Sequence, residues 1–304
     1  MTHQKTVLIT GTSEGGIGDA LAQEFHRKGL RVFATARNLA KVQHLQKLGL
    51  EVLQLDVVDQ ASIQEAVKSV DALTGGKLDI LVNNSGYGRP PPFFSRTIID
   101  SVKGSNAPLL DADLKAAKAM FDVNVFAVIE VTRAFSPLLI ASKGRIVNIG
   151  SIAGIFPVPW QGYYNATKAA VHQLSHCLQV EMAAFGVTTI NVTTGIIKTK
   201  FFDNLNKPRL PANSLYGPAK DIIEPVMQGV GLEEGGIDVN VYAARVVKNI
   251  LKANPNKNHW VGGSTFVVWL ASTFGWSSIW DYIVPSMFKI PLITKKIQAA
   301  EKSK

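Results

Sequence analysis

Short runs of β-branched and apolar residues recur along the chain at 6–10, 31–35, 51–55, 78–82, 145–149 and 187–192, and each predicts a strand. Between them lie amphipathic segments such as 18–28, which predict helices. Parallel strands need crossover connections, and right-handed crossovers fix how the chain winds. The expected fold is therefore α/β, a doubly wound, Rossmann-like parallel sheet with helices on both faces and an apolar C-terminal tail. In such a sheet a ligand binds beyond the carboxyl ends of the strands. No repeat of fixed period is visible, which argues against a solenoid.

Three segments depart from this rhythm. Segment 87–106, YGRPPPFFSRTIIDSVKGSN, opens with a proline run that suits neither a central strand nor a helix interior, and it reads as an inserted surface loop. Segment 200–236 is rich in Pro, Gly and Asn and follows a strand end, as a flexible lid over a substrate pocket would. Segment 259–280 contains no Asp, Glu, Lys or Arg and carries Trp260, Phe266, Trp269, Phe274, Trp276 and Trp280. Its length is near that of a bilayer span, but glycines and serines dilute it. Three readings stay open for it: contact with a membrane or lipid-droplet surface, packing over the substrate pocket or a partner subunit, and a span. Lys289, Lys295, Lys296, Lys302 and Lys304 could meet anionic headgroups. The expected organisation is a cofactor-binding domain over 1–263, with 264–304 as a hydrophobic and basic tail.

With 304 residues, 46% hydrophobic and 18% charged, the chain can bury a large core in one domain. Its single cysteine, Cys177, excludes an intramolecular disulfide and zinc-ligand C-x-x-C spacing, so no metal site is expected and an intracellular, reducing home fits best. The N-terminal MTHQKTVLIT enters a strand-like run without the features of a secretory signal. A net charge of +9 favours anionic partners. The basic residues are scattered and match no zinc-finger, RNP or basic-zipper pattern, so no nucleic-acid partner is expected.

The first strand runs into TGTSEGGIG at 10–18, which opens a helix. Glycines here allow a tight turn and close approach to a pyrophosphate, whose charge the helix N-terminus would hold. Gly11, Ser13, Gly16, Ile17 and Gly18 are the candidate dinucleotide contacts. The stretch Gly11 to Gly15 also fits the G-x-S-x-G nucleophile elbow of serine hydrolases, with Asp203 or Asp238 and His259 as the partners such an enzyme would need. Arg37, at the end of the second strand, replaces the acid expected of an NAD-restricted site and suits the 2′-phosphate of NADP(H); it is otherwise a solvated surface residue. Asp56 could accept a bond from the adenine amino group or cap the helix starting near Asp59.

The predicted strand at 145–149 leads to Ser151, and Tyr164 and Lys168 follow four residues apart, a spacing that shares a helix face. An ammonium beside a phenol stabilises the phenolate and would pull its pKa toward neutrality. Tyr164 is then the acid or base for a carbonyl or alcohol, Lys168 its electrostatic support, and Ser151 a hydrogen-bond donor to the substrate oxygen.

These residues, with LDV at 55–57, NNSG at 83–86, FDVNV around Asn124, IGSIAG around Ser151, YNATK at 164–168 and TGIIKT at 194–199, resemble the short-chain dehydrogenase/reductase family over 5–263. The resemblance implies that Asn83 supports the central strand and the cofactor ribose, that Asn124 joins Ser151, Tyr164 and Lys168 in a proton-relay tetrad, and that Ile197 and Thr199 hold the nicotinamide carboxamide. It also makes Tyr164 and Lys168 cofactor contacts and implies a homodimer through the helices at 124–140 and 164–185. Departures are one extra residue in the glycine turn, Ser85 in NNSG, and Thr194 where a proline is frequent. The longer turn, PLLDADL, PVPWQGYYNATKAAV and the apolar tail are similar to the fungal NADPH-dependent 1-acyldihydroxyacetone-phosphate reductase branch. Against that branch, 89–106 stands out as an extra block, either a loop insertion or a translated intron. The implied activity is NADPH-dependent reduction of a ketone on a lipid-like substrate such as 1-acyldihydroxyacetone phosphate. The alternatives are a ketoreductase of a fungal polyketide or terpenoid pathway and, further off, the serine hydrolase or a cofactor-binding regulator without turnover. The expected location is cytoplasmic, or peripheral on endoplasmic reticulum or lipid droplets.

Overall fold

The computed structural model describes residues 4–86, 106–199, 208–276 and 278–303. Seven parallel strands form the central sheet: β1 (Thr6–Ile9), β2 (Arg31–Ala36), β3 (Glu51–Gln54), β4 (Ile80–Asn83), β5 (Arg145–Ile149), β6 (Thr188–Thr194) and β9 (Asn258–Val261), in the order β3-β2-β1-β4-β5-β6-β9. A small parallel pair, β7 (Ile197–Lys198) with β8 (Ile237–Asp238), lies beyond the end of β6. The strand order reverses between β1 and β4, which opens a crevice at their carboxyl ends.

Both sheet faces are buried, which is why the inner strands read as continuous apolar runs. Alternate residues of β1 divide between them. Val7 and Ile9 pack with Leu21 and Phe25 of α1 (Ile17–Arg27) and with Tyr242 and Val246 of α8 (Val239–Ile250). Leu8 packs with Ile63 and Val70 of α3 (Gln60–Thr74) and with Phe135 of α5 (Ala127–Ser142). Between α1 and α3 the chain makes the short α2 (Gln43–Lys47). Asp59 and Asp238 accept backbone N–H groups at the starts of α3 and α8, so each helix begins at its own acidic cap. Next to α5 run α4 (Leu114–Phe121) and a π-helical turn over Asp122–Phe126, and α6 (Gly162–Glu181) lies between β5 and β6 in sequence.

All six predicted strands are present within two or three residues of their expected bounds. The seventh, β9, falls inside what reads from sequence as loop and tail: it is a half-exposed edge strand, Asn-His-Trp-Val, with a weak apolar pattern. The predicted lid is not free of structure, because its described part contains α7 (Lys220–Met227), in which Ile223 and Met227 are buried against Ile293. The tail folds into α9 (Thr265–Phe274), α10 (Ile279–Met287) and α11 (Ile290–Lys302), of 10, 9 and 13 residues. Among the described residues of the tail, no helix reaches the roughly 20 residues that crossing a bilayer requires. One side of it packs inward: Val268, Trp280, Val284 and Phe288 meet Ile152 and Phe156, directly downstream of Ser151. Residues 87–105, which hold almost all of the expected insertion, and 200–207, the first part of the lid with Asp203, lie outside the described residues.

The end of β6 is held against the chain leaving β9 by two glycine contacts. A Cβ on Gly195 would come within 2.1 Å of the carbonyl oxygen of Gly263, so nothing larger fits without backbone movement. Gly195→Ala is expected to cost at least about 2 kcal/mol, read as a lower urea midpoint with an unchanged slope; an unaltered midpoint would show that the close approach is not rigid.

Candidate active site

Each residue predicted for the site and present among the described residues stands at or just beyond the carboxyl edge of the sheet or on a helix facing it. Gly11 to Gly18 follow β1, Arg37 follows β2, Asp56 follows β3, Asn83 ends β4, Ser151 follows β5, and Ile197 and Thr199 follow β6.

The glycine turn is anchored on both sides. Thr12 donates its N–H to Thr35 at 2.9 Å, and Thr10 donates to Val82 at 3.0 Å. Gly11 and Gly15 have φ of 72° and 76°, a region that favours glycine. A Cβ on Gly18 would meet the carbonyl oxygen of Gly11 at 2.4 Å, so this glycine lets α1 approach the turn. The Asp19 carboxylate, unnoticed in the sequence, accepts the Gly15 N–H at 2.8 Å and bonds Gln23 and His44, each also at 2.8 Å. Gly16 is the N-cap of α1 and has no side-chain cap bond, so the helix presents its first N–H groups and positive dipole to a ligand. Ile17 packs against the core and Ser13 is exposed. The serine-hydrolase alternative fails here. His259 lies on β9, four strands from β1 and so about 19 Å across the sheet, and Asp238 is spent capping α8.

Arg37 is exposed at the end of β2. The Glu14 N–H donates to the carbonyl of Lys41 at 3.2 Å, which brings a second, unpredicted cation to the rim of the turn. Asp56 does not cap α3, since Asp59 does; its carboxylate accepts the Val58 N–H at 3.2 Å in a local turn. The amide nitrogen of Asn83 donates to Thr132 and Asn148, each at 2.9 Å, tying β4 to α5 and β5. Those donors serve the central strand, which leaves any ribose contact to other atoms of the residue. Ile197 is buried within β7, and Ile196 exchanges backbone bonds with Gly263.

Ser151, Tyr164, Lys168 and Asn124 come together where α6 lies against the end of β5. The Lys168 ammonium, buried, donates to the carbonyl of Ile149 at 3.0 Å and lies 5.9 Å from the centre of the Tyr164 ring. The Tyr164 hydroxyl is hydrogen-bonded to Ser151, whose own oxygen also accepts the Ala153 N–H at 3.1 Å. Asn124, in the π-helical turn, donates to Thr167 at 3.2 Å, and Thr167 bonds the Tyr164 carbonyl at 2.8 Å. A Cβ on Gly86 would lie 3.4 Å from Asn124 Oδ1 and 3.7 Å from Lys168 Nζ, so these two polar groups converge on that glycine. π-helical turns inside α-helices are frequent at functional sites.

Electrostatically the site differs from the expectation. Burial pushes the Tyr164 phenol above its ordinary range, and the bond from Ser151 offsets only part of this. Burial also lowers Lys168 to about 8. The ammonium bonds a carbonyl instead of the phenol, so in the free protein desolvation dominates and Tyr164 stays protonated at neutral pH.

The short chain dehydrogenase family profile matches residues 5–210. A short-chain dehydrogenase of Aspergillus ruber is 35% identical over 301 residues, covering 99% of this chain and 97% of that protein. The NADPH-dependent 1-acyldihydroxyacetone phosphate reductase of Schizosaccharomyces pombe is 38% identical over 242 residues, 77% of this chain and 76% of its own length. Among solved structures, a short-chain dehydrogenase from Streptomyces avermitilis superposes with a TM-score of 0.73 at 24% identity, covering 97% of this chain and 98% of that one. A Burkholderia cenocepacia short chain dehydrogenase in complex with NADP gives a TM-score of 0.64 at 21% identity, covering 90% and 94%. The structural likenesses establish the shared fold.

If the cations at the end of β2 hold a 2′-phosphate, Arg37→Glu raises the dissociation constant for NADPH by roughly 10- to 100-fold and leaves that for NADH within a few-fold, as calorimetry would show. Equal weakening of both would remove Arg37 from that role.

Proposed function

This chain belongs to the short chain dehydrogenase family, and from that premise we propose that it reduces a ketone to a secondary alcohol with NADPH. The observation that carries this reading is the Tyr164 hydroxyl, bonded to Ser151 and set one helical turn from the buried Lys168 ammonium. The residues at the sheet edge fit the dinucleotide: the uncapped N-terminus of α1 suits its pyrophosphate, and Arg37 with Lys41 suits the 2′-phosphate. When bound, NADPH supplies the hydride.

The chain's own groups supply the proton and hold the substrate oxygen. Ser151 donates a hydrogen bond to the ketone oxygen and orients it toward Tyr164. Tyr164, kept protonated by burial, gives its hydroxyl proton to that oxygen as charge builds there. The positive charge of Lys168 stabilises the phenolate left behind. A phenol whose pKa is raised holds its proton at neutral pH, which is the state the reductive step starts from.

The roof of the site, Ile152, Phe156, Val268, Val284 and Phe288, is apolar and suits a substrate with an alkyl chain. 1-Acyldihydroxyacetone phosphate is the first candidate, in keeping with the S. pombe relative. The second reading is a ketone of a fungal polyketide or terpenoid pathway. It stands beside the first because the A. ruber short-chain dehydrogenase, whose name gives no substrate, matches more of this chain's length than the reductase does. NADPH oxidation at 340 nm with the phosphate lipid and with a panel of such ketones separates them. In the reductive direction kcat holds below neutrality and falls as pH rises through about 8, because Lys168 loses its proton there. Tyr164→Phe lowers kcat at least about 100-fold while NADPH still binds. A profile flat to pH 10, or an active Tyr164→Phe, would refute the assignment.

The outer side of the tail supports docking on an anionic lipid surface, which would place the protein inside the cell and peripheral on a membrane or lipid droplet. Phe266, Phe274, Trp276 and Tyr282 are 68%, 73%, 61% and 72% exposed, and the lysines of 289–302 supply the complementary charge. A second copy would instead cover Phe126, Val180 and Phe185, which stand exposed on or beside the helices expected to form a dimer. Wild-type protein is expected to float with phosphatidylserine vesicles and the double variant Phe274→Glu, Trp276→Glu to stay behind. Equal flotation of the two would exclude docking by this face.

A further inference from the structure

Tyr164 and Lys168 are followed on the same side of α6 by His172, which is buried and has no part in the chemistry above. Its Nε2 lies 2.7 Å from the backbone carbonyl oxygen of Ser151, and its Nδ1 lies 2.7 Å from the side-chain amide nitrogen of Asn191 on β6. A carbonyl oxygen only accepts, so Nε2 carries the proton; in a neutral ring Nδ1 then accepts from the Asn191 amide. The Asn191 side-chain oxygen is buried without a hydrogen-bond partner among the described residues, so the amide is turned toward the imidazole even at the cost of leaving its oxygen unmatched. Burial holds the imidazole below its ordinary pKa; the bond to the Ser151 carbonyl opposes this, and the nearby charges of Lys168 and His176 add to it.

The chain around Ser151 is fitted to this ring. A Cβ on Gly150 would lie 2.9 Å from His172 Cε1, and one on Gly154 would lie 2.6 Å from His172 Cδ2. The loop that carries the serine thus has glycine at two places, flanking the Ser151 contact, where a Cβ would collide with the imidazole. One helix grips three successive points: Lys168 takes the carbonyl of Ile149, Tyr164 the hydroxyl of Ser151, and His172 the carbonyl of Ser151.

We propose that His172 is a positioning residue: as the neutral Nε2–H tautomer set by Asn191, it pins the Ser151 backbone so that the serine hydroxyl meets Tyr164 and the substrate oxygen. The activity arms of the test rest on the ketone-reductase reading, and a spectroscopic arm does not. With NADPH and whichever of 1-acyldihydroxyacetone phosphate or benzil the wild type turns over, His172→Leu is expected to lower kcat roughly 10- to 100-fold with an unchanged dissociation constant for NADPH. His172→Gln, whose amide nitrogen reaches the Nε2 position, restores most of the rate. His172→Asn reaches Asn191 but not the carbonyl; it behaves like His172→Leu and replaces it if that variant does not fold. In a Ser151→Ala background the His172 substitution costs less than about threefold, since the group it positions is gone. Full activity of His172→Leu or His172→Asn, an equal cost in both backgrounds, or failure of His172→Gln to recover would overturn the proposal. Nitrogen NMR of the wild-type ring is expected to show a protonated Nε2 and a bare Nδ1 at neutral pH; a charged ring or the opposite tautomer would also overturn it. If no ketone is reduced, the functional reading fails, and the NMR result still decides the tautomer.

Discussion

The buried bond from the Lys168 ammonium to the carbonyl of Ile149 is the contact on which the rest of the site depends. It joins α6 to the last residue of β5, and so sets the level at which the helix crosses the sheet's carboxyl edge. A change in that level by one residue would carry Tyr164 away from Ser151, because both ride on the elements this bond connects. An ammonium is costly to bury, and desolvation accordingly lowers Lys168 to about 8. In the proposed reduction the same charge stands next to the phenol when its proton leaves.

The two halves of the site obey different physics. On the β1 side the proposed pyrophosphate contacts are backbone N–H groups, and side chains are removed to expose them: Gly11 and Gly18 allow the turn and helix to close, and Asp19 holds Gly15 from within. On the β5 and β6 side the contacts are side chains, and the backbone is immobilised to aim them. Glycine appears there as well, at Gly150, Gly154 and Gly195, where it lets neighbouring segments touch. The same residue type therefore marks ligand access on one side and internal close packing on the other, which its position in the sequence alone does not tell.

Most of the fold was legible because the inner strands are buried on two faces and read as unbroken apolar runs. The edge strand β9 was not, since half of its surface faces solvent and its pattern is diluted. The Tyr164–Lys168 spacing announced a shared helix face, and the glycine turn announced an anion site. By contrast, His172 was silent in the sequence because its partner is a backbone carbonyl, which has no residue signature. The direction of the Tyr164 shift was misjudged for a related reason: proximity of a lysine can be read from spacing, but desolvation depends on tertiary packing. Segment 200–236 looked unstructured because Pro and Gly abound there, yet Ile223 and Met227 gain enough burial against α11 to sustain a helix that contains Pro225.

The C-terminal helices connect these local arguments to substrate choice. Their inward residues complete an apolar roof beside Ser151, which a phosphate or a small polar ketone would not require. Their outward residues leave aromatic rings exposed in linked pairs, Phe266 with Trp269, Trp269 with Phe274, and Trp276 with Tyr282. Exposed aromatic surface on helices whose other side is packed is difficult to explain as core stabilisation, because removing it from water would require an additional partner. If that partner is a lipid surface, the roof and the docking face are two sides of the same short helices. A substrate leaving the lipid phase would then reach Tyr164 by passing along apolar surface, and the substrate's hydrophobic part would never need to be fully hydrated on the way.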